Sequence, residues 1–362
     1  MSTIGLGRDS IDTPALLVDL DVMEANIARV AAACREHGIA WRPHVKAHKT
    51  PEIARMQLAA GAIGVTCAKL GEAEVMADAG IGDILIANQI VGAIKIGRLM
   101  ELRARADVVV AVDGLDNVRE LDAAAARAGL RLRVVIEVDT GMGRAGVAPE
   151  AVVALARRIA ACEGLLFAGV MTWESHTMTI AEPAEKAAAV AGAIRRLVAS
   201  AGDCRSTGLE VPIVSCGGTG TFPHCTCQPG VTEVQVGGGI FSDVRYREGC
   251  RVELPCALTI LATVTSRPTP TRIITDAGKK AMSTDTAVPQ PLGLDAHAAV
   301  SCSAEHSTIE LRAPSDTPKV GDRLELVVGY SDTTIHLHEE IVGIRRGRVE
   351  SVWRVAARGR LK

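Results

Sequence analysis

Lys46 lies in the run RPHVKAHK, directly after an apolar segment. A lysine amine that is desolvated loses its proton and becomes a nucleophile able to form an imine with a carbonyl. Lys49 and Lys69 are its nearest rivals. Further along, Gly217-Gly218-Thr219-Gly220-Thr221 and Gly237-Gly238-Gly239 are glycine-rich. Such loops bring backbone N–H groups close to an oxyanion. A plain tight turn accounts for one loop of this kind. Two of them, one with Thr219 and Thr221, point to a phosphorylated ligand. Trp173-Glu174-Ser175-His176 supplies a wall for a ligand and two acid–base groups, Glu174 and His176, that an enclosed site tunes toward neutral pH.

These residues must be positioned by elements that the apolar pattern reveals. A short strand is expected over 15–20, and Asp21 with Glu24 resembles a capping box for the helix that follows. Strands are then expected at 39–45, 64–68, 83–88, 108–112, 133–138, 165–172, 213–217 and 232–237, with Ala- and Arg-rich helices such as 149–161 and 182–201 between most of them. The strands are continuously apolar, as in a parallel sheet buried on both faces. Eight of them alternating with helices spell an α/β fold, a (β/α)8 TIM barrel. An open doubly wound sheet is the competitor, disfavoured because no GxGxxG follows the first strand. In a barrel the active site sits at the carboxyl ends of the strands, where each motif above falls. Beyond about residue 246 the runs ALTILATVTS, RIITDAG, STIELR, RLELVVGY and VESVWRVAARG read as antiparallel strands. The expected domains are a barrel over 25–245, and a β-rich domain of 1–24 and 246–362 that completes the active site.

Composition narrows the function classes. The 362 residues are 48% hydrophobic and 23% charged, with a net charge of −2. That balance, without a basic run, argues against nucleic acid or an anionic membrane as partner. No apolar stretch of about twenty residues and no signal-peptide pattern occur. The ten cysteines are scattered, and Cys225 and Cys227 are badly spaced for zinc. Reduced thiols and a cytoplasmic location are therefore expected. Aromatic residues are 2% of the chain, yet Trp41, Trp173, Phe222, Phe241 and Tyr330 all lie beside these motifs.

The motifs also carry a resemblance. TPALLVDLDVMEANI, the lysine segment and EVDTGMGRAG resemble the barrel domain of the alanine racemase class (fold type III) of pyridoxal-phosphate enzymes. RPHVKAHKTPEIA, GGTGT, DAGKK, SAEH and HLHEE…GRVESVWRVAARG resemble, within it, the D-threonine aldolase and D-serine dehydratase family. The resemblance covers nearly the whole chain. It implies pyridoxal 5'-phosphate as cofactor, Lys46 as the internal-aldimine lysine, and Arg144 as the arginine that contacts the cofactor ring oxygen. Gly218, Thr219 and Gly220 match the phosphate loop, with Gly238 in the second glycine run beside it and Trp173 as a wall. Physical chemistry agrees, because a phosphate held by backbone donors leaves no second lysine competing for the aldehyde. It further implies a homodimer in which the β domain of one subunit covers the other's barrel mouth.

Two departures bear on the reaction. Metal-dependent members carry His-x-Asp or His-x-Cys near the C-terminus and hold a divalent ion (Mg, Mn or Zn) that grips the substrate's 3-hydroxyl. Here Asp332 aligns with the second ligand, but Tyr330 stands where the histidine belongs. Asp332 with His338 is the candidate metal pair, and His336, His306 and Glu305 are further donors. Tyr330 has a second reading, as an acid/base facing Lys46. In the sixth-strand loop, Trp173, Glu174 and His176 replace the tyrosine and histidines of D-threonine aldolases. The leading expectation is a lyase that cleaves a D-3-hydroxy amino acid to an aldehyde and glycine. A dehydratase giving a keto acid and ammonia follows, then a racemase or epimerase using Lys46 and Tyr330. A non-catalytic cofactor carrier is disfavoured by residues 250–362.

Overall fold

Continuous apolar runs become the inner layer of a barrel in the computed structural model, which describes residues 3–362. By internal packing the chain divides into two units. A barrel unit comprises Arg29–Lys46, Pro51–Gly237 and Gly359–Lys362, and a β unit comprises the residues up to Ala28, Ala47–Thr50 and Gly238–Arg358.

The β unit begins with β1 (Ala15–Asp19), which is followed by α1 (Leu20–Glu36). The barrel strands are β2 (Ala40–Trp41), β3 (Val65–Cys67), β4 (Asp83–Gln89), β5 (Asp107–Val112), β6 (Leu132–Glu137), β7 (Leu165–Met171), β8 (Ile213–Cys216) and β9 (Glu233–Val234). Together they form an eight-stranded sheet in the order β2-β9-β8-β7-β6-β5-β4-β3, with all seven neighbouring pairs parallel. A parallel bridge from His44 to Thr66 joins its two ends. Val108 to Val112 all have 0% exposure, the two-faced burial that a continuous apolar run requires. One interior layer gathers Leu85, Val109, Ala111, Val135, Ala168, Met171 and Ile213.

β2 is far shorter than the 39–45 run suggests. Pro43 has no N–H to extend the ladder, and Arg42 is buried against Glu233 and Asp83 at 3.1 and 2.6 Å. The chain therefore leaves the strand before Lys46. The expected capping box also differs. Asp19 Oδ1 accepts from Val22 N–H at 3.0 Å, while Asp21 and Glu24 both pair with Arg345 on a distant strand.

In the β unit, β1 pairs antiparallel with β10 (Leu258–Thr269) and parallel with β16 (Glu340–Arg345). Among the described residues the nine-stranded sheet is otherwise antiparallel, including β11 (Arg272–Thr275), β14 (Ser307–Leu311), β15 (Arg323–Val327) and β17 (Arg348–Arg354). Among the described residues no helix is long and apolar enough to cross a membrane. All ten cysteines are free thiols.

Candidate active site

Lys46 is the middle residue of a 3-10 turn, Val45–Ala47, that β2 enters after Pro43. It is half-buried, whereas Lys69 is exposed just before α3 (Leu70–Asp78). Lys49 is buried in the β unit with a left-handed φ of 56°. Of the three, Lys46 alone combines partial burial with a place at the carboxyl end of a barrel strand.

The next strand ends carry a polar network. Gln89 Nε2 donates to Glu137 Oε2 at 2.6 Å and to Asp113 Oδ2 at 3.2 Å. Glu137, 5% exposed, lies 3.1 Å from the Nη2 of Arg144, which is 51% exposed. A buried carboxylate thus fixes one edge of a guanidinium whose remainder is open. Gln89 was not among the expected site residues; its only signal is its place at a strand end. In the same loop Asp139 accepts from the N–H groups of Gly141 and Gly143 at 2.9 and 3.1 Å. The Gly143 and Gly141 bonds hold its carboxyl below the usual range. His176 is exposed on the short turn Ser175–Thr177, and a Cβ on Gly141 would stand 3.0 Å from its Nε2.

Glu174 is not exposed to a ligand at all. It has 0% exposure, and its Oε1 accepts from Thr221 Oγ1 at 2.5 Å and from Cys225 Sγ at 3.3 Å. Its Oε2 accepts from Gly217 N–H at 3.3 Å. The carboxylate therefore ties the turn after β7 to both ends of the glycine loop after β8. Burial, and a hydrogen bond with Cys216, push the Cys225 thiol far above its ordinary range. Glu174, Cys216 and Cys225 are the one group of three metal-capable side chains among the described residues, with ligand atoms within 4.8 Å. Its carboxylate and one thiol are already engaged with each other.

The loop itself fits a phosphate. Thr219 Oγ1 is buried without a protein hydrogen-bond partner, and among the described residues the Thr219 and Gly220 N–H groups donate to no backbone acceptor. A buried hydroxyl left unmatched costs about 1–3 kcal/mol, which a bound oxyanion removes. Gly218 is required for another reason. A Cβ there would sit 2.1 Å from the Trp173 indole, so only glycine lets the ring lie against the loop.

In the β unit, Gly238 opens the turn Gly238–Ile240, and a Cβ on it would stand 2.8 Å from the Tyr246 ring. Tyr330 Oη donates to Asp332 Oδ2 at 3.1 Å. Its ring meets Tyr246 edge-on, 5.7 Å between centroids, and the Arg245 guanidinium carbon lies 4.6 Å from the Tyr330 ring centre. Burial and the Asp332 carboxylate raise the Tyr330 hydroxyl above the ordinary phenol range, so it remains a proton donor. His338 Nε2 lies 2.6 Å from the Ala281 carbonyl, and burial lowers its pKa.

The expected divalent ion finds no fitting donor set here. Asp332 and His338 belong to no group of three metal-capable side chains among the described residues. A neutral phenol is a poor ligand for a hard cation, which favours carboxylates, carbonyls and water. The other candidates are placed elsewhere: Glu305 pairs with Lys280 at 2.6 Å, and His306 and His336 are exposed.

Beneath Tyr330, Asp243 accepts from Ser331 N–H and Oγ at 2.8 and 2.9 Å and from Tyr246 N–H at 2.8 Å. Burial nevertheless raises its carboxyl to about 7. The folded state then holds a proton that the unfolded chain releases near pH 4. Stability from this group is complete below about pH 4 and falls as pH rises toward 7. Asp243→Asn is expected to flatten that slope in urea unfolding midpoints measured across the interval. An unchanged slope in the variant would assign it to other groups.

A (β/α)8 barrel with a lysine turn after its first strand and a glycine loop after its seventh, joined to a mixed β sheet, defines an enzyme of the alanine racemase-like fold. A model of the alanine racemase N-terminal domain matches residues 18–244, and one of a serine dehydratase domain matches 257–344. The chain belongs to this family, within the group that holds D-threonine aldolases and D-serine dehydratases. It is 36% identical over 367 residues to the 3-hydroxy-D-aspartate aldolase of Paracoccus denitrificans, covering 98% of this chain and 94% of the relative. The crystal structure of D-threonine aldolase from Filomicrobium marinum matches with a TM-score of 0.96 at 34% identity, over 100% of both chains. The D-threo-3-hydroxyaspartate dehydratase of Delftia sp. is 34% identical over 282 residues, 76% of this chain and 74% of its own.

Proposed function

We propose that this chain is a pyridoxal-phosphate-dependent lyase that cleaves D-configured 3-hydroxy amino acids to an aldehyde and glycine. The observation that carries the reading is the pairing of a half-buried Lys46 with a glycine loop whose Thr219 hydroxyl is buried and unmatched. The full-length likeness to aldolases supports the choice of bond. Lys46 would hold the cofactor through its amine, Arg144 would meet its ring, Trp173 would wall it, and Gly218, Thr219 and Gly220 would take its phosphate. When bound, the cofactor supplies an electron sink for the α carbon.

The chain's own groups supply the proton transfers. His176 Nε2, on the exposed turn beside Gly141, takes the proton of the 3-hydroxyl. The Cα–Cβ bond then breaks, its electron pair stays on Cα, and the departing fragment leaves as the aldehyde. Protonation of Cα completes glycine. Glu174, buried under the loop, positions the phosphate donors instead of moving protons. We place the enzyme in the cytoplasm as a homodimer, with sedimentation velocity as the check on assembly.

Incubation with D-threonine and with D-3-hydroxyaspartate tests the reading, with products identified by mass. Aldehyde plus glycine is expected. A keto acid plus ammonia would make it a dehydratase, and an inverted amino acid a racemase. His176→Gln is expected to lower kcat by about 10²–10⁴-fold, the range for loss of a general base, with the cofactor's near-visible absorbance unchanged. A variant of full activity would move the base elsewhere.

A further inference from the structure

We propose that Glu174, Cys216 and Cys225 form a binding site for a thiophilic dication of the zinc and cadmium class, and that filling it weakens the glycine loop's hold on the cofactor phosphate. The weakening rests on the cofactor reading above; the ion binding does not.

The site lies wholly within the barrel unit, and each of its three side chains has 0% exposure. Cys216 ends β8, Cys225 ends the short helix Phe222–Cys225, and Glu174 comes from the turn after β7. Gly217 makes the approach possible. Its φ is 77°, and a Cβ there would stand 3.2 Å from the Cys225 Cβ. Glu174 Oε1 lies 3.3 Å from Cys225 Sγ, the two thiols are hydrogen-bonded to each other, and the three ligand atoms fall within 4.8 Å. A tetrahedral zinc ion at its usual sulfur and oxygen bond lengths holds such a pair of donors about 3.5 Å apart. The carboxylate–thiol edge is thus close to the required length before any ion arrives. Three protein ligands with one open position are an ordinary zinc set, and two sulfurs among them select against magnesium and calcium.

Charge balance favours the exchange. Without an ion the site holds one carboxylate and two thiols, a net charge of −1. The dication binds the carboxylate and two thiolates while both thiol protons leave for solvent, and the net charge is again −1. No uncompensated charge is added to a buried site, which is the cost that ordinarily forbids it. The ion takes the place of the proton between Cys225 Sγ and Glu174 Oε1. That same oxygen accepts from Thr221 Oγ1 at 2.5 Å, fastening the far end of the glycine loop. A dication drawing on the oxygen weakens this bond, and the loop loses part of its tie.

Cadmium titration of the reduced holoprotein, followed by thiolate-to-cadmium charge transfer in the ultraviolet and by cadmium-113 resonance, tests the site without substrate. About one ion per chain is expected, with the intensity of a thiolate pair and a resonance in the mixed sulfur–oxygen range. Cys216→Ser and Cys225→Ser should each lose at least about a hundredfold in affinity, since even an outer-shell partner is worth about 10–100-fold. Cys227→Ser removes an exposed thiol outside the site and should bind as the parent does. No stoichiometric charge transfer in the parent, or its persistence in both site variants, would overturn the proposal. If those variants do not fold, the parent's resonance decides, and a position typical of oxygen and nitrogen ligands alone would overturn it. Cadmium-saturated parent should release more cofactor into an ultrafiltrate than metal-free parent, a difference absent from Cys225→Ser. Equal release with and without the ion would refute the coupling to the loop. A protein lacking any cofactor chromophore would defeat the cofactor reading alone, because the charge-transfer titration still decides the site.

Discussion

Lys46→Ala is expected to lose the near-visible absorbance of the bound cofactor and at least about a thousandfold in turnover, roughly 4 kcal/mol at 1.36 kcal/mol per decade. The size follows from the chemistry assigned to the amine. Of Lys46, Lys49 and Lys69, it alone is both placed at the end of a barrel strand and partly removed from water. Lys69 is exposed beside its helix, and Lys49 is buried in the other unit. Lys46→Arg separates charge from nucleophilicity, because a guanidinium keeps the positive charge and does not deprotonate. It should lose as much as the alanine variant. Borohydride treatment of the parent followed by peptide mapping should fix the cofactor on the Lys46 peptide. Cofactor found on Lys49 or Lys69 instead, or a Lys46→Ala protein with the parent's absorbance, would remove the basis of the functional reading.

How far the sequence discloses this site depends on the range of the interaction. Strands such as Asp107–Val112 announce themselves because burial on both faces demands apolar residues at every position. The glycine loops are legible for a similar reason, since close approach of a backbone forbids a side chain. What stays hidden is the partner chosen across the fold. Glu174 meets Thr221 and Cys225, 47 and 51 residues onward, and nothing in WESH tells a buried acceptor from a proton-transfer group. Asp21 and Glu24 have the spacing of a capping box, yet Arg345 lies more than three hundred residues away and takes both carboxylates. Pro43 was visible, but its effect on β2 depends on whether the turn into Lys46 has packing to replace the lost ladder.

Glu174→Ala is the second change with a large expected effect, and it separates two roles for one carboxylate. As an acid–base group, Glu174 would need contact with the reacting atoms; as a positioning residue it needs only the loop. Its oxygens accept from Thr221 Oγ1, Cys225 Sγ and Gly217 N–H inside a fully buried site. Alanine would strand those donors at about 1–3 kcal/mol each, and a loop so destabilised relaxes away from the shape that offers Thr219 and Gly220 N–H. The expected result is a cofactor dissociation constant raised about a hundredfold or more, near 2.7 kcal/mol, with a lower melting temperature. Glu174→Gln should fall between parent and alanine. Its carboxamide oxygen still accepts from the hydroxyl and the thiol, while its amino group faces Gly217 N–H donor to donor. Saturating cofactor should return most of the activity of Glu174→Gln, as a positioning role requires. If Glu174→Ala bound cofactor like the parent and lost only kcat, the carboxylate would be moving protons after all, and the loop would have to be held by Thr221 and Cys225 without it.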